Sequence, residues 1–113
     1  MHKLITAMKA LSDETRLRIV NLLLERECCV CEVVQALDIS QSRASRNLSA
    51  LYDAGFLKLR KEGLWSFYSI DKDGAQEYYS QLVDAVREAL EDNKVLEADR
   101  ERLRKAKRVS LRR

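Results

Sequence analysis

Apolar residues recur at helical spacing along most of this chain. Leu4, Ile5, Met8 and Leu11 form one stripe, which predicts a first helix ending near Leu11. Ser12 reads as the N-cap of a second helix, with Asp13 and Glu14 in the first turn, where the helix dipole favours acids. That helix runs to about Arg26 and turns Leu17, Ile19, Val20, Leu23 and Leu24 inward. The segment 27–30 is short and β-prone. A third helix over 31–38 follows, with Val33, Val34 and Leu37 facing the core. After a brief turn Ser40 caps a fourth helix over 41–54, which carries Ala44, Leu48 and Leu51 on one face. Gly55 stands at its end, where a left-handed residue closes a helix.

The pattern then changes period. Residues 56–61 and 65–70 alternate, and Glu62-Gly63 between them suits a hairpin turn. A long helix is expected from residue 71 or 73 to beyond Leu103. Within it Leu82, Val86, Ala89, Asn93, Leu96, Arg100 and Leu103 step by four and three, a heptad seam with polar breaks at Asn93 and Arg100. Its first half can also pack on its own domain through Tyr78, Tyr79 and Leu82. Helix, helix, helix, short turn, helix, hairpin, helix is the order of a winged helix-turn-helix. The expected fold is therefore mainly α (α+β), with a two-stranded wing and a long C-terminal dimerisation helix.

Composition narrows this picture. A chain of 113 residues makes one small domain, residues 1–113, with 71–113 as the long helix and its basic tail. The absence of proline and the presence of only three glycines suit a largely helical chain. Net charge is +3 but uneven, with eight basic residues and one acidic one from Arg100 onward. Such a tail is either a solvated helix end or a set of phosphate contacts. No stretch is long and apolar enough to span a bilayer, and Met1-His2-Lys3-Leu4 lacks the apolar core of a signal peptide. The expected compartment is the cytoplasm, where cysteines stay reduced and a structural disulfide is not expected. Adjacent Cys28 and Cys29 are also poorly placed to bridge each other.

With Ala44, Leu48 and Leu51 buried, the fourth helix and its cap present Ser40, Gln41, Ser42, Arg43, Ser45, Arg46 and Asn47 outward. Arg pairs with guanine, Gln and Asn with adenine, and Ser with phosphate or base. No acid occurs from Ile39 to Tyr52, whereas a merely solvated face usually mixes both signs. Lys58, Arg60 and Lys61 on the hairpin fit a wing lying along a nucleic-acid backbone, although Lys on an edge strand also blocks unwanted pairing. Trp65, Phe67 and Tyr68 read as hairpin packing. Double-stranded DNA is the expected partner.

All three cysteines fall within four residues, Cys28, Cys29 and Cys31. The run Glu27-Cys28-Cys29-Val30-Cys31-Glu32-Val33 resembles the metal-binding box of the ArsR/SmtB family of metalloregulatory repressors. Residues 11–19, 40–48 and 63–68 resemble that family's helical signature, recognition helix and wing. The resemblance covers roughly residues 4–72 and is nearest to the arsenical-resistance operon repressors. It implies a homodimer formed by the first and last helices, here Leu4, Met8, Leu82, Val86, Ala89 and Leu96, which holds operator DNA in the ion-free state and carries no enzyme activity. A dimer places two recognition helices one DNA turn apart, so an inverted repeat is the expected operator.

In the family's arsenical sensors a Cys-Val-Cys pair is completed by a third cysteine one turn later. That third position here is Val34, which leaves Cys28 as the replacement. Three thiolates suit As(III) or Sb(III), whereas Zn(II) wants a fourth ligand. Zinc and nickel sensors of the family use histidines on the last helix, where this chain has none. Its cadmium and lead sensors add N-terminal cysteines, absent before Cys28. Side chains at i, i+1 and i+2 do not meet on a regular helix, and strand neighbours point to opposite faces. Gathering Cys28, Cys29 and Cys31 on one ion therefore requires an irregular backbone at the start of the third helix. Cd(II) or Pb(II), or oxidation of the same thiols, are the alternative signals.

Overall fold

The computed structural model describes residues 1–73 and 76–109. The chain runs α1 (His2–Leu11), α2 (Glu14–Glu25), β1 (Cys28–Cys29), α3 (Val30–Leu37), α4 (Gln41–Asp53), β2 (Leu57–Glu62), β3 (Trp65–Ile70), α5 (Glu77–Ala89) and α6 (Lys94–Lys105). The winged helix-turn-helix expected from the sequence is the fold observed.

Caps set the boundaries. Asp13, not Ser12, caps α2, its carboxylate accepting the Arg16 backbone N–H at 3.0 Å. The helix-turn-helix corner forms because Asp38 adopts a left-handed φ of 56° and ends α3. Only Asp38, Ile39 and Ser40 separate α3 from α4, and the Ser40 hydroxyl accepts from the Arg43 N–H at 3.1 Å. Gly55 ends α4 region with φ +99°, and a Cβ there would stand 2.8 Å from the Tyr79 ring.

The wing is a β2–β3 hairpin in which Glu62 pairs with Trp65, so its two-residue turn is Gly63-Leu64, one position later than the Glu62-Gly63 expected. The sheet gains a third strand that the sequence does not announce. Cys28 pairs with Tyr68 and Cys29 with Phe67, giving the antiparallel order β1-β3-β2. Two residues are too few to show a period, so the strand is visible only through its partner.

The C-terminal region corrects the expectation of one long helix. It is two helices: α5 begins only at Glu77, and the chain leaves helical geometry at Leu90. The Asn93 carboxamide accepts from the N–H groups of Val95 and Leu96 at 2.9 and 3.2 Å and starts α6 afresh. Asn93, read as a polar break in a heptad seam, is a helix cap. The break lets α6 fold back over α2 and α3, burying Leu96 and Leu103 in the protomer's own interior. Gly74, Ala75 and the last four residues of the expected basic tail lie outside the described residues.

Ile19, Leu22, Leu48, Leu51 and Phe56 are fully buried at the junction of α2, α4 and the sheet. Cys28 belongs to this core. Cys29, Cys31 and Phe67 form a second, smaller cluster, with Trp65 packed against it.

Candidate nucleic-acid interface and cysteine centre

Helix α4 exposes Ser42, Arg43 and Arg46, with Ser40 exposed at its cap and Gln41, Ser45 and Asn47 half-buried. Two of these side chains are also held from behind. Arg43 Nη2 donates to Thr15 Oγ1 at 2.8 Å, and Asn47 Nδ2 donates to the Arg43 carbonyl at 2.9 Å. Arg16, which the sequence reading did not single out, donates to Asn47 Oδ1 at 3.1 Å. The same guanidinium donates to the Ala10 and Lys9 carbonyls at 2.6 and 3.2 Å. Arg16 thus closes the C-terminus of α1 and braces the polar face of α4. Its sequence signal is weak, since an Arg in the first turn of a helix opposes the dipole there.

On the wing, Lys58 and Lys61 are exposed. Arg60 is differently placed. It donates to Glu27 at 2.8 and 3.2 Å and to Glu62 at 3.0 Å, and its guanidinium lies 4.5 Å from the Phe67 ring centroid. The Arg60 guanidinium beside Glu27 holds that carboxyl below its usual range, and the carboxylates in turn raise Arg60. Arg60 therefore ties the wing to the chain just before β1.

The cysteines divide between two faces of β1. Cys29 and Cys31 are joined in a disulfide, with Cα atoms 5.4 Å apart. This corrects the expectation of three free thiols. The strand hands over to α3 between these residues, so their side chains meet although they would not on a regular helix or strand. Cys28 points the other way, fully buried in the main core, and its thiol donates to the Arg26 carbonyl at 3.4 Å. Burial pushes that thiol up to about 12, against the lowering effect of Arg26. Two sulfurs are therefore together and the third is apart. Among the described residues no group of three or more His, Cys, Asp or Glu side chains converges as a metal site.

Glu32 organises the pair. It is buried, accepts the Cys29 N–H at 2.9 Å, and faces Arg26 at 3.0 Å and Arg108 at 3.6 Å. Cys29-x-x-Glu32 has the spacing of a capping box, a signal that was available in the sequence.

Of the residues expected at a dimer interface, Leu4 and Met8 are exposed, 43% and 53%, beside exposed Ile5. Leu82 and Val86 are half-buried and Ala89 is exposed. Leu96 is only 5% exposed, and its carbonyl accepts from Asn21 at 3.3 Å, so its side chain belongs to the protomer core. Val95 beside it is exposed instead. Among the described residues, several of the basic side chains from Arg100 onward are engaged within the chain. Arg100 donates to Asn21, Arg102 to Asp99 and the Ala36 carbonyl, and Arg104 to Glu101.

A short helix, a three-residue corner, a second helix with a polar outer face and a basic hairpin define a winged helix-turn-helix transcriptional regulator. The chain belongs to the arsR family of bacterial regulatory proteins, whose sequence pattern matches residues 13–59. It is 44% identical over 77 residues to the cadmium resistance transcriptional regulatory protein CadC homolog of Staphylococcus aureus, covering 67% of this chain and 60% of that protein. It is 49% identical over 67 residues to the arsenical resistance operon repressor of Escherichia coli (strain K12), covering 58% of this chain and 57% of that protein. The chain thus spans about 60% of the length of the cadmium-resistance relative. Among solved structures, the homodimeric winged helix-turn-helix DNA-binding domain Mb0332 of Mycobacterium bovis matches with a TM-score of 0.67 and 29% identity, covering 82% of each chain. No described helix is long and apolar enough to cross a membrane.

Proposed function

We propose that this chain, a single winged-helix domain, works as a homodimeric repressor that holds operator DNA until a thiophilic signal reaches Cys28, Cys29 and Cys31. As(III) or Sb(III) is the inducer. One observation carries the reading: the cysteines occupy the junction of β1, bound to the wing strand β3, and α3, the first helix of the helix-turn-helix. Chemistry there acts on both DNA-facing elements at once. In the operator-bound form Ser40, Gln41, Ser42, Arg43, Ser45, Arg46 and Asn47 face the groove, and Lys58 and Lys61 flank it. Arg60 braces the wing against Glu27. The arsenical-resistance and cadmium-resistance relatives support a soft ion as signal.

Capture by all three sulfurs requires change in two places. The Cys29–Cys31 disulfide takes up two electrons and two protons from two cellular thiols, which leave joined as their own disulfide. Arsenous acid then condenses with three thiols, forming three As–S bonds and releasing three waters. Cys28 must also leave the core, which unpairs Cys28 from Tyr68 and Cys29 from Phe67. The ion therefore favours a conformation in which β1 has left the wing, and DNA favours the paired one. Release of the operator is the reciprocal consequence.

A second reading, thiol oxidation, rests on the Cys29–Cys31 disulfide itself. In it the dithiol and disulfide forms differ in operator affinity and Cys28 has no part. Operator binding followed by fluorescence anisotropy, with arsenite, cadmium and hydrogen peroxide side by side on the parent and the three single Cys→Ser variants, separates the two. Release by arsenite that is lost in all three variants supports the ion site. Release by peroxide alone, lost only in Cys29→Ser and Cys31→Ser, replaces it. Arsenite release that persists in Cys28→Ser removes Cys28 from the site.

A further inference from the structure

The chain after α6 returns to the cysteine centre. Residues 106–109 are not helical, and they run across the start of α3. The Lys107 N–H donates to Gln35 Oε1 at 3.0 Å, and Gln35 Nε2 donates back to the Lys107 carbonyl. The Val109 N–H donates to Cys31 Sγ at 3.4 Å, and Trp65 Nε1 donates to the Val109 carbonyl at 3.2 Å. Between them the Arg108 guanidinium lies 4.6 Å from the Phe67 ring centroid and 3.6 Å from the Glu32 carboxylate. Phe67 is the residue on which Cys29 and Cys31 pack. The segment therefore touches the disulfide directly and also grips two elements around it, α3 through Gln35 and Glu32 and β3 through Trp65. The two sulfur-bearing residues are 1% and 2% exposed.

We propose that residues 106–109 form a strap that seals the Cys29–Cys31 pair, with Gln35 and Trp65 as its latches, so that reagents reach either sulfur only when the strap lifts. The strap borders solvent and is held by a handful of hydrogen bonds, which places it among the segments that open locally well below the cost of global unfolding. The β1–α3 core beneath it does not open so readily, because β1 is paired to β3 and Cys28 anchors it from the other side. The strap sets the rate at which the pair exchanges with thiols or accepts an ion, and it connects α6 to that event. Arg108 is its positioning residue: it joins the strap to Glu32 and through it to the N-terminus of α3.

This inference rests on the reading of Cys29 and Cys31 as the sensing pair, but its test uses neither DNA nor metal. The oxidised protein is mixed with excess dithiothreitol. One thiolate of the reagent attacks a cysteine sulfur and breaks the protein S–S bond. Its second thiolate then closes the cyclic disulfide and frees both cysteines as thiols. Quenched samples are counted by maleimide mass shift. The variants are Trp65→Phe, which keeps an aromatic ring, though a smaller one, and loses the N–H, Gln35→Ala, and their double. Reduction should accelerate about tenfold in the double variant and less in each single one. The same order should appear when the reduced proteins are alkylated with iodoacetamide. Rates within twofold of the parent in both reactions, in variants whose circular dichroism matches the parent, overturn the strap. Operator release would be untouched by that result. Conversely, failure of arsenite or peroxide to release the operator leaves these access rates as they are.

Discussion

Arg18 and Asp99 meet across 81 residues of sequence through two hydrogen bonds of 2.8 and 2.9 Å. Asp99 is fully buried and also accepts from Arg102 at 2.6 Å. The pair fastens α6 to α2, and with it the chain that returns to the cysteine centre. Removing the carboxylate strands the largely buried Arg18 guanidinium and frees the half-exposed Arg102. Asp99→Ala should therefore cost about 3 kcal/mol, the range for breaking a buried pair by deleting one partner. Urea unfolding checks it: the midpoint falls with an unchanged slope. Arg104→Ala removes an exposed pair with Glu101 and should stay within about 0.5 kcal/mol.

The exposed and buried members of the expected dimer set should behave oppositely. Met8 lies on the exposed apolar face of α1, whereas Leu96 is enclosed by its own protomer. Met8→Glu should lower the dimer fraction in sedimentation velocity and leave monomer stability near the parent value. Leu96→Ala should cost about 2–4 kcal/mol through lost packing and a cavity, at any protein concentration. A dimer destroyed by Leu96→Ala at constant unfolding midpoint would return that residue to the interface.

Local signals carried the sequence reading a long way, and tertiary ones did not. Ser40, Gly55, Gly63 and the alternation after Phe56 each act within a few residues, and the helix-turn-helix and wing follow from them. Strand β1 fails that test because its two residues become a strand only against Tyr68 and Phe67. Asn93 carried two compatible meanings, a polar seam position and a cap. Only the packing of α6 on Asn21, Arg18 and Ala36 decides between them. That three thiols lie together ahead of the third helix is legible in the sequence, but their geometry is not. A backbone that changes from strand to helix between Cys29 and Cys31 brings those two together and sends Cys28 away. The strap lies beyond any local pattern, since Gln35 and Lys107 are 72 residues apart.

The basic residues of the candidate interface are not equivalent. Arg46, Lys58, Arg60 and Lys61 are all exposed, but Arg60 is also held by Glu27, Glu62 and Phe67. Lys58→Ala or Lys61→Ala should weaken operator binding uniformly across sequences and reduce the salt slope by about one per protomer, about two for the dimer. Arg46→Ala should cost about 1–3 kcal/mol and relax the base preference at one position in each half-site. Arg60→Ala should leave the salt slope unchanged. Anisotropy titrations over a range of potassium chloride concentrations measure all four. A slope reduced in Arg60→Ala would place that guanidinium on phosphate in the complex.

Cys28 gives the fold a defined response to base. Its thiol ionises at about 12 in the folded chain, against 9.0 ordinarily, because burial penalises the thiolate. Below pH 9 the thiol is protonated in both states, and its contribution to stability is whole. Between these values the unfolded chain has released the proton while the folded chain retains it. Stability therefore falls as pH rises, by up to about 1.4 kcal/mol per unit, and the loss is complete above the folded value. Tyrosines and lysines titrate in the same window, so the informative quantity is the difference from Cys28→Ala. That variant starts less stable, since it leaves a small void in the core. The gap to the parent should narrow by roughly 2–3 kcal/mol between about pH 8 and about pH 11, measured by urea unfolding with the Cys29–Cys31 disulfide closed. A gap that stays constant across that range would mean the Cys28 thiolate is solvated in the folded chain, and β1 would then already be free to leave the wing.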